Sequence, residues 1–560
     1  MIPRRVAAFR SIFLLSFVSS SSRVLAQVPN RMSIRETNLN FMDMDPSGDS
    51  HLQQPMVALP PRRTLRIAGR KDIEKIYPYL SAYAQDPSAA LHVEELLIDT
   101  GAWPDRPWKC FTTTDAVIPP PSPNDAAAHE RIKEYTRTIG LPDSTTHQIL
   151  ESLDWKFTGS SGAEHHGHKS DKGFAAAATI LLLSLCKNLT YLQAYGIEYT
   201  PFFIRDFLLR NNYPSLSPLP SPSLQTLQTV HIESYTPYDE RVYDSAEFLD
   251  HFRYFGRLPS LTTYSTNALI AYQNNHEVSP PGTSTVRKIS ITNADIGSEL
   301  LGVIIRVPKA LEEFTFSAGG LSHSKGGKPV VLPKTIGKCL AEQKATLRVL
   351  DMDIHGALSF HGEPEEEDAR EEDFRAAGRI GRGQGQRGRG DPLGDEYAKF
   401  DAANGNGKPL WSKDLEDTRV YGYTIGSLHD FAALKVLAVP IVALLGPPQP
   451  REGEDVEYGS TGIAVMPPFR LVDGLPPGLK TLRLYDYYRG KCAVHDEYVD
   501  ELREKMAERF PLLNELVGVD EPLVGNSQYD ERAGFDEEDP PPAVAERMKR
   551  LGRDNWGALE

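Results

Sequence analysis

One short phrase is written again and again along this chain. "LRVLDMDIHG" (347–356), "LKVLAVPIVA" (434–443) and "LKTLRLYDYY" (479–488) share a spacing: an apolar residue, two variable ones, a second apolar residue, one variable one, a third apolar residue. The same spacing falls on Leu189, Leu192 and Ala194; on Leu227, Val230 and Ile232; on Val286, Ile289 and Ile291; and on Leu311, Phe314 and Phe316. In the three strings above it falls on Leu347, Leu350 and Met352; Leu434, Leu437 and Val439; and Leu479, Leu482 and Leu484. Weaker copies begin at Val93 ("VEELLI") and Leu261 ("LTTYST").

The last three positions alternate apolar, variable, apolar, which suits a short strand with one buried face. The first apolar residue would tuck under the turn that leads in. A single strand of this kind cannot bury its apolar side, but a stack of copies can. Most copies start roughly 25 to 45 residues apart, enough for one helix between strands. Helical apolar spacing fills several gaps, in "TPFFIRDFLLRN" (200–211), "DSAEFLDHFRYF" (244–255), "IGSELLGVIIRV" (296–307) and "LPKTIGKCLAEQ" (332–343), the last with proline near its first turn. The expected fold class is α/β: a solenoid of parallel strands alternating with helices, with irregular repeats and disordered insertions.

These phrases, together with "TIGSLHDFAALKVLAVPIVALLG" (424–446), resemble the leucine-rich repeat family. They look most like the irregular F-box or leucine-rich-repeat proteins of filamentous fungi, and the resemblance covers residues 60–490. It implies a leucine-rich-repeat-like fold, a protein partner and, in family members with an F-box, contact with a ubiquitin-ligase adaptor. Two features depart from the pattern. The asparagine that usually follows the third apolar position is missing from most copies, although Asn293 stands close behind Ile291. The Leu59-Pro60 pair continues into the basic "PRRTLRIAGRK" rather than an apolar helix, so the adaptor contact transfers to no residue here.

Organisation follows the repeats. Residues 1–26 read as a signal peptide or a disordered leader: Arg4, Arg5 and Arg10 precede an apolar stretch Ile12 to Val18, and Val24-Leu25-Ala26 has the small-residue cleavage pattern. Residues 27–63 are polar and expected to be disordered. A helical, mixed region with the first strand occupies 64–170, including "KDIEKIYPYLSAYAQ" (71–85) and "PDSTTHQILESLDW" (142–155), where Ser144 or Thr145 could cap a helix. The solenoid takes 171–494. It contains an insertion at 357–418, in which "EPEEEDAREED" is followed by "RAAGRIGRGQGQRGRG", and this whole insertion is expected to be disordered. A second polar insertion covers 447–462. A capping helix is expected over 495–516 and an acidic tail over 517–560.

No stretch is long enough to cross a membrane, the apolar run Phe174 to Leu185 included. The formal net charge is −15, which argues against a general nucleic-acid binder. Four scattered cysteines, Cys110, Cys186, Cys339 and Cys492, form no pair spaced for a metal and no disulfide framework. The leader leaves secretion open, yet the few cysteines and a single glycosylation sequon, at Asn188 within a repeat, favour an intracellular location.

Chemistry-bearing constellations are few. His165, His166 and His168 lie in a glycine-rich loop without partners of metal-ligand spacing. Asp351 and Asp353 flank Met352 and share one side of a strand, without a visible partner for acid–base work. No nucleophile elbow, phosphate loop, dinucleotide fingerprint or zinc-protease motif occurs. No catalytic, cofactor or metal site is therefore expected. The residues that vary from copy to copy face away from the core, on the concave side of the sheet: Tyr191, Gln193, His231, Lys288, Ser290, Glu313, Thr315, Asp351, Ala438, Arg483 and Tyr485. They are the expected protein-binding surface of a non-enzymatic recognition scaffold. The alternative is a secreted binding protein or a hydrolase of unfamiliar type.

Overall fold

A computed structural model describes residues 62–523, other than 101–102, 104–122, 159–170, 196, 198–201, 234–247, 271–278, 319–329, 361–391, 404, 406, 418 and 448–466. The chain divides into two units, Met1–Ala58 and Leu59–Glu560, and the first lies outside the described residues. So do the leader, the histidine loop and most of the second polar insertion.

The second unit is α/β, an open sheet of eleven parallel strands alternating with helices. The strands are β1 (Thr64–Ile67), β2 (Glu95–Asp99), β3 (Tyr191–Tyr195), β4 (Thr229–Glu233), β5 (Thr263–Ile270), β6 (Lys288–Asp295), β7 (Glu313–Ala318), β8 (Val349–Asp353), β9 (Val436–Pro440), β10 (Thr481–Tyr485) and β11 (Glu515–Val517). Each pairs with the strand next to it in sequence, so the sheet order is the chain order. That is the arrangement expected of a solenoid, in which each unit buries its apolar face against its neighbours.

The repeated phrase sets the register. Leu192, Val230, Tyr264, Ile289, Phe314, Leu350, Leu437 and Leu482 occupy one continuous row across the sheet. Ala194, Ile232, Thr266, Ile291 and Phe316 form the next inward row. All are buried, at about 1.5–3 kcal/mol for each large apolar side chain. The first apolar residue closes a tight turn: the N–H groups of Leu189, Leu227, Leu261, Leu434 and Leu479 donate to the carbonyls of Cys186, Leu224, Leu258, Phe431 and Pro476, three residues back. In several copies the phrase has a fourth apolar member at that upstream position, as at Cys186, Leu258 and Phe431, all buried.

Helices cover the inward face. α1 (Arg70–Gln85) and α2 (Pro87–Ala90) follow β1; α3 (Pro123–Thr138), α4 (Asp143–Thr158) and α5 (Asp171–Leu185) join β2 to β3. The expected cap residues Ser144 and Thr145 lie inside the first turn of α4, because the Thr146 N–H already donates to the Pro142 carbonyl. α5 is apolar on every side, and every residue from Phe174 to Cys186 is buried, since α1 and α4 pack over the helix as the sheet lies under it. α6 (Phe202–Asn212), α7 (Phe248–Arg253), α8 (Ser298–Arg306) and α9 (Pro333–Ala341) cross over between later strands. In α9 a side chain at Gly337 would strike the Ile425 carbonyl, 2.2 Å from the ideal Cβ position. Among the described residues no helix is long and apolar enough to cross a membrane.

Three sequence expectations need correction here. The insertion is not disordered throughout 357–418: α10 (Pro392–Ala403) and a 3-10 turn (Ser412–Asp414) pack onto the helical side, leaving 361–391 outside the described residues. After α11 (Ile441–Leu445) and α12 (Leu471–Gly474), the helix expected over 495–516 is α13 (Ala493–Arg509). The chain then turns back into the sheet as β11, so Glu515 and Leu516 are strand residues paired with Thr481 and Leu482. Gln193 and Ala438, both expected to face solvent, are buried, Gln193 at 5% exposure beneath the polar groups described next and Ala438 completely.

Candidate functional site

On a pleated strand the residues between the inward positions point to the opposite face. The register places Tyr191, Lys288 and Glu313 in the first outward row, Gln193, His231, Ser290, Thr315, Asp351, Ala438 and Arg483 in the next, and Tyr485 in the last. All the expected binding residues therefore share one face. They do not form one cluster. Lys288 and Glu313 make an exposed ion pair at 2.7 Å in mid-sheet, and most of the others gather into two hydrogen-bonded groups to either side.

The first group lies on β3, β4 and β5. The Tyr191 hydroxyl donates to Gln193 Oε1 at 3.2 Å, and Gln193 Nε2 donates to the Tyr195 hydroxyl. Tyr195 in turn donates to Glu233 Oε1 at 3.0 Å. His231 bridges the strands: Nε2 lies 3.0 Å from Glu233 Oε1, and Nδ1 lies 2.7 Å from Ser265 Oγ. Glu233 is only 2% exposed, so its carboxylate depends on these partners. Sequence reasoning picked out neither Glu233, Tyr195 nor Ser265. Their signal was available as the outward row two residues after Gln193 and His231, and as the cross-strand partner of His231.

Hydroxyl, imidazole and carboxylate thus stand in line, the order in which a nucleophilic serine is activated. Ser265 sits in mid-strand with β4 and β6 paired on either side, so its neighbouring backbone N–H groups are committed to the sheet. Stabilising an oxyanion needs such donors to be free.

The second group lies on β8, β10 and β11. The Tyr485 hydroxyl donates to Asp351 Oδ1 at 2.9 Å, and Arg483 donates to Glu515 Oε1 at 2.9 Å. Burial pushes the Asp351 carboxyl above the ordinary carboxylate range, with the Tyr485 hydrogen bond and Arg483 opposing and Asp353 adding to the rise. Burial and the Asp351 charge push the Tyr485 hydroxyl up as well. The Arg483 hydrogen bond holds Glu515 below its usual value. Asp353, one row further along the same side as Asp351, is buried.

No family model, curated protein or solved structure matches this chain.

Proposed function

We propose that the protein is a non-enzymatic recognition scaffold of leucine-rich-repeat type that binds a protein through the face of its sheet opposite the helices. One observation carries this reading. Eleven strands in unbroken order present outward rows whose residues change from strand to strand while the rows beneath, Thr266 apart, stay apolar between β3 and β8. A fixed frame with variable outward positions suits protein recognition, and tyrosine and arginine at Tyr191, Tyr485 and Arg483 are common interface anchors. The finer reading extends the family resemblance: a scaffold akin to the F-box-related adaptors of filamentous fungi, acting inside the cell, with a ubiquitin-ligase adaptor as a second partner on the strength of the resemblance alone. The net charge of −15 favours a protein over a nucleic acid as ligand.

The test is a combined change of Tyr191, His231, Arg483 and Tyr485 to alanine. Partners recovered with the wild-type chain should be lost while the circular dichroism spectrum is retained. An unchanged partner set in the folded variant rejects this face. Mass spectrometry of the mature N-terminus addresses location: a chain beginning at Gln27 means export and removes the intracellular adaptor reading.

The Ser265–His231–Glu233 line favours a second reading, a hydrolase. A fluorophosphonate probe that labels the wild-type chain but not Ser265→Ala would establish it. Equal absence of labelling in both rejects it.

A further inference from the structure

Helix α10 is out of place for a solenoid. It belongs to the connection between β8 and β9, yet it seats on α6 and α7, which belong to the crossovers from β3 to β4 and from β4 to β5. Its contact is a satellite of the molecule. Leu209, Tyr213 and Tyr397 form an apolar cluster separate from the main core, with Leu216, Tyr254 and Phe400 against it. The Tyr213 and Tyr397 rings lie 4.8 Å apart between centroids, and Phe400 meets Tyr213 edge-on at 5.9 Å.

The polar half is equally specific. Asp401, only 1% exposed, accepts from the Tyr213 hydroxyl at 2.7 Å and from Arg257 at 2.6 Å, with Arg253 Nε at 3.7 Å. The Arg257 guanidinium lies over both Tyr213 and Phe400, at 5.3 and 5.5 Å from the ring centroids. On the helix side, Tyr397, Phe400 and Asp401 stand at i, i+3 and i+4 facing in, while Glu396 and Lys399 are exposed.

The receiving face is built by the repeats themselves. Asn212 Nδ2 donates to the Arg253 carbonyl, and Asn212 Oδ1 accepts from the Arg257 N–H at 2.8 Å. The main chain at both arginines is thus held by bonds in which α10 takes no part, while the Arg257 guanidinium itself meets Asp401 and Phe400 of α10. The result is an aromatic floor on a held backbone with two cations beside it, complementary to an aromatic–acidic helix.

We propose that this face of α6 and α7 is a receptor for a helix carrying Tyr, Phe and Asp at i, i+3 and i+4. It is held in cis by α10 and is open in trans to a partner helix of the same pattern. This site lies on the helical side of the molecule and does not depend on the recognition proposed for the sheet face. A tethered occupant has an effective concentration near the millimolar range, so an outside helix must compete with it.

The test uses a fluorescein-labelled peptide of residues 392–403 and three full-length chains: wild type, Asp401→Ala, and Asp401→Ala with Arg257→Glu. Anisotropy should show saturable binding to Asp401→Ala, at least about tenfold weaker apparent affinity for wild type, and at least about a tenfold loss with Arg257→Glu. Hydrogen exchange reports whether 392–403 has left the groove. If Asp401→Ala leaves the segment protected, the triple change Tyr397→Ala, Phe400→Ala and Asp401→Ala takes its place, and the same outcomes apply. An emptied groove that does not bind the peptide, or binding indifferent to Arg257→Glu, overturns the proposal. A wild-type chain that protects 392–403 only at concentrations where it sediments as a dimer assigns the groove to a second copy, and overturns it too.

Discussion

Tyr485 reaches Asp351 across a whole strand: its hydroxyl meets Oδ1 at 2.9 Å although β9 lies between β10 and β8. On β9 the crossing runs from the row of Pro440, register partner of Tyr485, to that of Ala438, register partner of Asp351 and fully buried. A methyl group leaves room for the tyrosine, and a larger side chain would not. Ala438→Ile should therefore cost about 1–3 kcal/mol in urea unfolding. Tyr485→Phe should cost about 1 kcal/mol. If the hydrogen bond is what Ala438→Ile disrupts, the double variant should lose less than the sum of the two; full additivity would contradict the crossing.

Asp351 also gives the fold a dependence on pH. Its folded pKa is raised, chiefly by burial, so the folded chain holds the proton more tightly than the unfolded chain. Its contribution is present in full below the ordinary carboxylate pKa and is lost as pH rises through the raised value. Asp351→Asn keeps an oxygen for Tyr485 but does not titrate. The melting temperature of Asp351→Asn minus that of wild type should increase between about pH 4 and pH 7. A constant or falling difference would show that this carboxyl is not held above its usual range.

Gln193 lies close to a buried charge, its Nε2 3.4 Å from Glu233 Oε1. Gln193→Glu keeps the shape and replaces that donor with a carboxylate oxygen facing Glu233. The expected loss is about 2 kcal/mol or more at pH 7, shrinking as the pH falls and one of the two acids takes up a proton. Chemical denaturation at pH 7 and pH 4.5 compares the two; equal losses at both would rule out charge repulsion as the cause.

Arg306 is a deeply buried cation of the helical side. It donates to the carbonyls of Pro409 and Leu410 at 2.7 and 2.8 Å and pairs with Glu342 at 3.1 Å. Close by, Glu299 accepts from the Ser412 N–H at 2.9 Å and from its hydroxyl. Arg306→Ala should cost about 3 kcal/mol by stranding two carbonyls and weakening the hold on 408–412. Proteolysis should then cut sooner near Trp411. An unchanged cleavage rate would separate the arginine from the strap.

The ladder was legible because its cause is local. Leu350, Leu437 and Leu482 repeat at a fixed spacing, and period alone assigns them inward. β1 escaped notice because the phrase position before Leu65 and Ile67 is Arg62, and β11 because its third position is Gly518. Gly518 holds a φ of 85°, and its missing Cβ lets the Leu484 carbonyl approach to 2.1 Å of where that atom would be. The face was legible by alternation, but the burial of Gln193 was not, because Tyr195 and Glu233 in the next outward row decide it. The seat of α10 was the least legible feature. Asp401 stands 188 residues from Tyr213 and 144 from Arg257, and no periodicity reaches that far.

That separation fixes an order of assembly. A sheet whose strands neighbour one another in chain order can be laid down from the N-terminus as synthesis proceeds, each new strand adding to the last. Arg253 and Arg257 leave the ribosome well before Asp401. The nascent protein therefore carries Arg257 and Tyr213 without their Asp401 until nearly three-quarters of it has been made. For that interval it is a different surface from the finished molecule, and the arrival of a single twelve-residue helix is what retires it.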